Sequence, residues 1–135
     1  MKEPFDTWYN KENFPVECSY ALAEYYPEHF TTWFDKETYP PGDYWFLAEN
    51  CQEHLHIWFD KKTFRIEDYW FLAKFCYKYF DVWFDKETYP KEKYWYLAEY
   101  CPDKFIKWFD KEIYPLGDYW FLAKYYQDYE HIWNK

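Results

Sequence analysis

Glycine is nearly absent from this chain: among 135 residues there are two, Gly42 and Gly117. That excludes Gly-rich phosphate-cradling loops and flexible Gly/Ser linkers. Serine occurs once, at Ser19, with no glycine elbow around it, so a serine-nucleophile hydrolase is not expected. The carboxylates are many but recur at equivalent solvent-facing positions, which is not how a catalytic pair is built. Basic residues are the minority, 16 Lys and Arg against 25 Asp and Glu, and Arg65 is the sole arginine. With a net charge of −9, direct binding to nucleic acid or to an anionic membrane surface is excluded, since both need a basic face. Long apolar runs are missing too. Clusters such as Tyr44-Trp45-Phe46-Leu47-Ala48 are short and flanked by charge, so no membrane span is expected, and no apolar run follows Met1-Lys2-Glu3-Pro4 to suggest a secretory signal.

What the chain has in excess is aromatic surface, 31% of residues. Phe, Tyr and Trp bury more area than other side chains, which favours a folded protein despite 30% charged residues. They are also periodic. Tryptophan recurs every 25 residues at Trp8, Trp33, Trp58, Trp83, Trp108 and Trp133, without insertion. Such a fixed period is the signature of a repeat architecture. Counting each copy from its tryptophan as position 1, lysine at position 4, leucine at 15 and alanine at 16 are invariant in five copies. Residues before Trp8 read as the tail of a copy, Glu3 and Phe5 aligning with Glu28 and Phe30, and 133–135 begin another. We therefore treat 1–135 as one helical repeat domain.

Two helices per copy are expected. In helix A of the second copy, Tyr44, Leu47, Ala48 and Cys51 fall at i, i+3, i+4 and i+7 on one face. Pro at position 8 suits the entrance, with Asp43 as an N-cap or first-turn acid. The helix is apolar over most of its circumference and must be covered on several sides. Helix B starts near position 20, where Pro27 and Pro102 are followed by an acid, and Phe105, Trp108 and Phe109 form its apolar stripe. The phrase Asp-Lys-Glu-Thr-Tyr-Pro ends it, because proline disfavours helix in the residue before it. No period-two alternation points to strands. Position 17 reads Glu24, Glu49, Lys74, Glu99, Lys124, which predicts an inter-repeat ion-pair ladder. The invariant lysines, preceded by Asp or Asn, read as solvated loop residues.

The result is an all-α fold, an α-solenoid of about five 25-residue helical hairpins with a partial repeat at each end. The pattern W-F-D-K-E-x-Y-P followed by Y-W-F-L-A resembles, in architecture, the short-repeat helical-hairpin solenoids, the class that contains HEAT and tetratricopeptide repeats. The resemblance covers nearly the whole chain. Its motif and period differ from the named families, so no functional residue is carried over.

Cys51, Cys76 and Cys101 occupy one repeat position, too far apart in stacked helices for disulfides. They read as small buried hydrophobes kept reduced, which implies a cytoplasmic setting. Cys51, His54 and His56 have metal-like composition, but four ligands are not assembled and His29 repeats His54, so neither a metal nor another cofactor is expected. The aromatic rows at positions 13 and 14 read as core more than as a sugar- or base-stacking platform.

Information about function sits where copies differ. Positions 22, 24 and 25 are expected on the face of helix B away from its apolar stripe. They supply the candidate partner-binding residues His29, His54, His56, Tyr79, Asp81, Lys104, Ile106, Lys107, Tyr129 and His131. The leading reading is a non-catalytic module that binds another protein through this varied surface. A second is an acidic inhibitor or nucleic-acid mimic, such as a phage-encoded anti-defence protein, that occupies the basic groove of a nucleic-acid enzyme. Most of the negative charge lies on residues 8–57, and the scarcity of arginine fits an AT-rich genome. A carbohydrate-binding aromatic platform ranks third. Apolar ends, Phe5 and Trp8 at one and Ile132 and Trp133 at the other, predict a homodimer or head-to-tail assembly.

Overall fold

The computed structural model describes residues 4–134. Among them, short α-helices alternate with 3-10 turns and no strand occurs. The α-helices are α1 (Phe5–Trp8), α2 (Ser19–Tyr25), α3 (Phe30–Trp33), α4 (Tyr44–Asn50), α5 (Leu55–Trp58), α6 (Tyr69–Phe75), α7 (Phe80–Trp83), α8 (Tyr94–Tyr100), α9 (Phe105–Trp108), α10 (Tyr119–Tyr125) and α11 (Glu130–Trp133). Even-numbered helices are the A helices and odd-numbered ones the B helices, an α-solenoid. The expected match of Glu3 with Glu28 lies outside the described residues.

Each A helix grows out of a 3-10 turn at positions 9–11. Proline at position 8 sets the approach: Pro40 is extended, at φ −62° and ψ 127°, and its carbonyl accepts the amide of Asp43 at 3.0 Å. Asp43 stands at the N-cap of α4 and as an acid in the first turn of the 3-10 helix before it, as expected, but makes no side-chain cap, because the 3-10 turn already satisfies the backbone there. The A helix ends at position 19, where Cys51 leaves helical geometry at φ −127° and ψ 41°. Helix B follows at once as a 3-10 turn and one α-turn. It is shorter than its apolar stripe suggests: Phe109 is already extended, though its ring still stacks on Phe105 at 4.9 Å.

Three invariant features now have physical reasons. The tryptophan at position 1 donates its indole N–H to the position-19 carbonyl at the A-to-B break, which also accepts the position-22 amide of the 3-10 turn. Trp33 to Tyr26, Trp58 to Cys51, Trp83 to Cys76, Trp108 to Cys101 and Trp133 to Tyr126 span 2.7–2.9 Å. Alanine at position 16 lies where A helices pack on each other: Ala23, Ala48 and Ala73 are sealed from solvent. A larger side chain there would force the helices apart. The invariant lysine is not merely solvated. It reaches the position-3 aspartate of the next copy, pairing Lys11 with Asp35, Lys36 with Asp60, Lys61 with Asp85 and Lys86 with Asp110 at 3.0–3.6 Å. The other carboxylate oxygen of Asp35, Asp60, Asp85 and Asp110 accepts the amide two residues on, fixing the turn.

The ladder expected at position 17 does not form among the described residues. Lys74 instead lies over the Trp70 and Phe75 rings, and Lys124 over Tyr125. Aromatic faces near the stem of a lysine offer it a closer partner than a carboxylate one repeat away.

The two glycines need no unusual backbone, since neither has positive φ. A Cβ at Gly117 would meet nothing within 4 Å. Gly117→Ala is therefore expected to stabilise the protein by about 0.4–1 kcal/mol, by restricting the unfolded chain. A thermal melt checks it, and an unchanged or lower midpoint would contradict it. Gly42 differs: its Cβ would stand 2.9 Å from the Arg65 guanidinium, which must move aside.

Candidate interaction surface

The ten candidate residues divide into two sets. Position 22 is not on a free face. His29 stacks on Phe5 at 4.5 Å and 9°, His54 on Phe30 at 4.5 Å and 5°, and Tyr129 packs on Phe105 at 4.8 Å. Each of these contacts joins one copy to position 23 of the copy before. Tyr79 is likewise half-buried against the core and Lys104 is half-buried. Position 22 closes a three-residue 3-10 turn, which winds about 60° further than three residues of α-helix would. A continuous helical wheel, which assumes the α winding, therefore places it on the outside.

Positions 24 and 25 behave as expected. Thr31, Thr32, His56, Ile57, Asp81, Val82, Ile106, Lys107 and His131 are exposed, and Ile132 is half-buried. Between them, position 23 and the tryptophan are buried in the interior copies. Three aliphatic side chains stand in water on this face: Ile57 at 42% exposure, Val82 at 52% and Ile106 at 65%. Asp81 and Lys107 join adjacent copies with an ion pair of 2.9 Å, and the lysine holds the Asp81 carboxyl below its ordinary range. The face is thus a mixed patch, apolar in the middle with one charge pair and flanking imidazoles, carried on α5, α7, α9 and α11.

The aromatic rows on the A helices form a second exposed feature. Tyr20 lies against Phe46, Trp45 against Phe71, Trp70 against Tyr96 and Trp95 against Phe121, at 5.0–5.5 Å from copy to copy. Within copies Trp45 stacks on Phe46 and Trp70 on Phe71, at 3.7 and 3.9 Å. Most of these rings are half-buried against one another, which leaves less open face than a sugar- or base-stacking platform needs. Trp120, 61% exposed, keeps an open face, beside Leu116 at 84%.

A third region breaks the regularity. α2, α4, α6 and α8 pack each on the next, but α10 stands further off from α8. Position 19 faces the preceding copy, and there Cys76 and Cys101 direct their thiols to the carbonyls of Ala48 and Ala73. In the fifth copy Tyr126 takes the cysteine's place, and its hydroxyl donates to the Ala98 carbonyl. The ring is a wedge between the two helices.

Chemistry of other kinds finds little support in side-chain geometry. The thiols of Cys51, Cys76 and Cys101 are pushed up to about 12 by burial, which keeps them unreactive. Cys51, His54 and His56 do not converge: the Cys51 side chain is buried, His54 is stacked on Phe30 and His56 is exposed. Among the described residues no group of three His, Cys, Asp or Glu side chains is placed to hold a metal. No described helix is long and apolar enough to cross a membrane. Comparison with known protein families, curated proteins and solved structures returned no match.

Proposed function

We propose that this protein is a non-catalytic interaction module that holds another protein on the outer face of its B helices. One observation carries the reading. In the first four copies positions 24 and 25 are exposed and differ from copy to copy, while the residues on either side of them are buried and repeated; the fifth copy returns to the His-Ile pair of the second. A rigid periodic scaffold with a continuous variable face is how helical solenoids commonly recognise partners. The aliphatic centre of the patch, Ile57, Val82 and Ile106, supplies the kind of apolar anchor around which binding energy concentrates. The test compares affinity capture by the native chain with capture by an Ile57→Asp, Val82→Asp, Ile106→Asp triple variant. The native bait is expected to retain a protein that the variant loses while its circular dichroism stays native. Equal capture by both would sink the reading.

A second reading, the acidic mimic that occupies a basic groove, is favoured by a different feature. Glu24, Glu28, Glu49 and Glu53 are exposed along one edge of the first two copies, with no lysine among them at positions 17 and 21. Lys74 and Lys78 interrupt the row in the third copy, which is why it ranks second. Its partner would be released by salt, since the contact is electrostatic. Of the apolar ends expected to self-associate, Phe5 is buried, Ile132 and Trp133 are half-buried and Trp8 is exposed, so the proposed contact shifts to Leu116, just before α10, with Trp120 and Tyr125 on it, and light scattering reads the mass directly.

A further inference from the structure

The gap opened by Tyr126 is a site in its own right. Between α8 and α10 it forms a groove of about 420 Å³ lined by Ala98, Glu99, Pro102, Phe121, Tyr125 and Tyr126. That volume falls within the range of small-molecule sites. Three of its walls are aromatic rings set at an angle to one another. Phe121 and Tyr125 lie 4.7 Å apart at 46°, and Phe121 and Tyr126 6.5 Å apart at 44°. Angled rings present their electron-rich faces to one volume, which attracts a cation and repels an anion. The one acid on the lining, Glu99, makes no ion pair among the described residues: the partner expected for it, Lys124, turns instead to the Tyr125 ring. Lys124 holds its ammonium 5.1 Å from that ring's centre, so the ring already serves a cation of its own chain.

From these features we propose that the α8–α10 groove binds a small quaternary ammonium group, a methylated amine too weakly hydrated to prefer water over aromatic walls. Phe121 and Tyr125 supply the cation–π surface, Glu99 the countercharge, and the buried Tyr126 the separation of helices that makes room. The preference for an ammonium follows from the unpaired carboxylate beside the rings; a neutral ligand would gain nothing from it. The site lies away from the B-helix face and stands or falls independently of the function proposed above. Tyr126 has a structural role as the wedge, Glu99 and Tyr125 direct contact with the ligand, and Lys124 competes with it for Tyr125.

The probe is choline chloride titrated into the full chain at constant ionic strength, followed by calorimetry and by NMR of the Phe121 and Tyr125 rings. A dissociation constant on the order of 1 mM is expected for a partly open cation–π site. The neutral isostere, with a tert-butyl group in place of the trimethylammonium, should bind at least ~10-fold more weakly. Glu99→Gln should weaken choline roughly fivefold and Lys124→Gln should tighten it, while Tyr126→Cys, the residue of the interior copies, closes the groove and abolishes binding. Should Tyr126→Cys fail to fold, Tyr125→Leu at an exposed position decides the matter by the same loss of binding. Equal affinity for choline and its neutral isostere, unchanged binding to a folded Tyr126→Cys or Tyr125→Leu variant, or no saturation at tens of millimolar, on the order of ten times the expected constant, overturns the proposal.

Discussion

Raising the pH past about 10 is expected to unfold this protein in a single steep step. Seven tyrosines, Tyr39, Tyr44, Tyr69, Tyr89, Tyr94, Tyr114 and Tyr126, are buried, each no more than 4% exposed. Burial pushes every one of these phenols up, Tyr94 to about 12 and Tyr39, Tyr89, Tyr114 and Tyr126 further. Nearby carboxylates add to it: Asp85 and Asp110 face Tyr94, and Asp60 and Asp85 face Tyr69. In the unfolded chain the same phenols lose their protons near pH ~10. Above that value the unfolded state holds fewer protons than the folded one, so stability falls as pH rises.

Each phenol lowers the stability by up to ~1.4 kcal/mol per pH unit once the unfolded state is ionised. Several acting together consume a total stability of about 5–15 kcal/mol within one or two pH units. The thiols of Cys51, Cys76 and Cys101 act with the same sign, because burial holds them at about 12. Several of the phenolic protons are also hydrogen-bond donors: Tyr39 to Asp43, Tyr114 to Asp118 and Tyr126 to Ala98. Ionising any of them breaks that bond. The expected result is that tyrosinate absorbance and loss of helical circular dichroism rise together, with a midpoint at roughly pH 10.5–11.5. A gradual tyrosinate titration near pH ~10 with the helices intact would show that the phenols are accessible.

Much of this is legible in the sequence, because the forces that make the fold are local and repeated. The 3.6-residue spacing of Tyr44, Leu47 and Ala48 locates the A helix, and the proline at position 8 marks its entrance in every copy but the third, where Arg65 stands. What cannot be read is which repeated residues meet across copies. Opposite charges at position 17 suggest a ladder, yet the ladder joins position 4 to position 3 one copy later. The clue is present in the paired invariance of Lys and Asp, but choosing between two charge rows requires knowing which row is free of competing aromatic faces. Position 22 departs from its expected face for a geometric reason. A 3-10 turn rotates His29 and His54 inward onto Phe5 and Phe30, and apolar periodicity does not distinguish a 3-10 turn from an α-turn. Tyr126 is a one-residue departure at a cysteine position. Its effect on the spacing of α8 and α10 follows from size, but only once the position is known to face the preceding copy.

The repeat's tryptophan is the residue whose loss costs most. Trp108 is sealed from solvent, its indole N–H meets the Cys101 carbonyl at 2.9 Å, and its ring lies against Tyr94, Phe105, Tyr114 and Tyr126. Trp108→Ala is expected to cost about 3–5 kcal/mol from transfer and cavity alone. Loss of the indole bond adds about 0.5–1.5 kcal/mol, the Cys101 carbonyl keeping the Lys104 amide at 3.1 Å. Together these approach the whole stability of a chain this size, so the variant should be largely unfolded at 25 °C. Trp108→Phe separates the two contributions, because it keeps most of the aromatic packing and removes the donor. It should lose about 2 kcal/mol and leave the variant folded. The same motif residue provides the control. Trp8 is 37% exposed, and its indole has no hydrogen bond among the described residues. Trp8→Ala should therefore cost at most about 1–2 kcal/mol. Urea titrations of the three variants measure the differences. A Trp108→Phe cost under about 1 kcal/mol would mean that the indole bond contributes nothing, and that the invariance of tryptophan rests on ring volume alone.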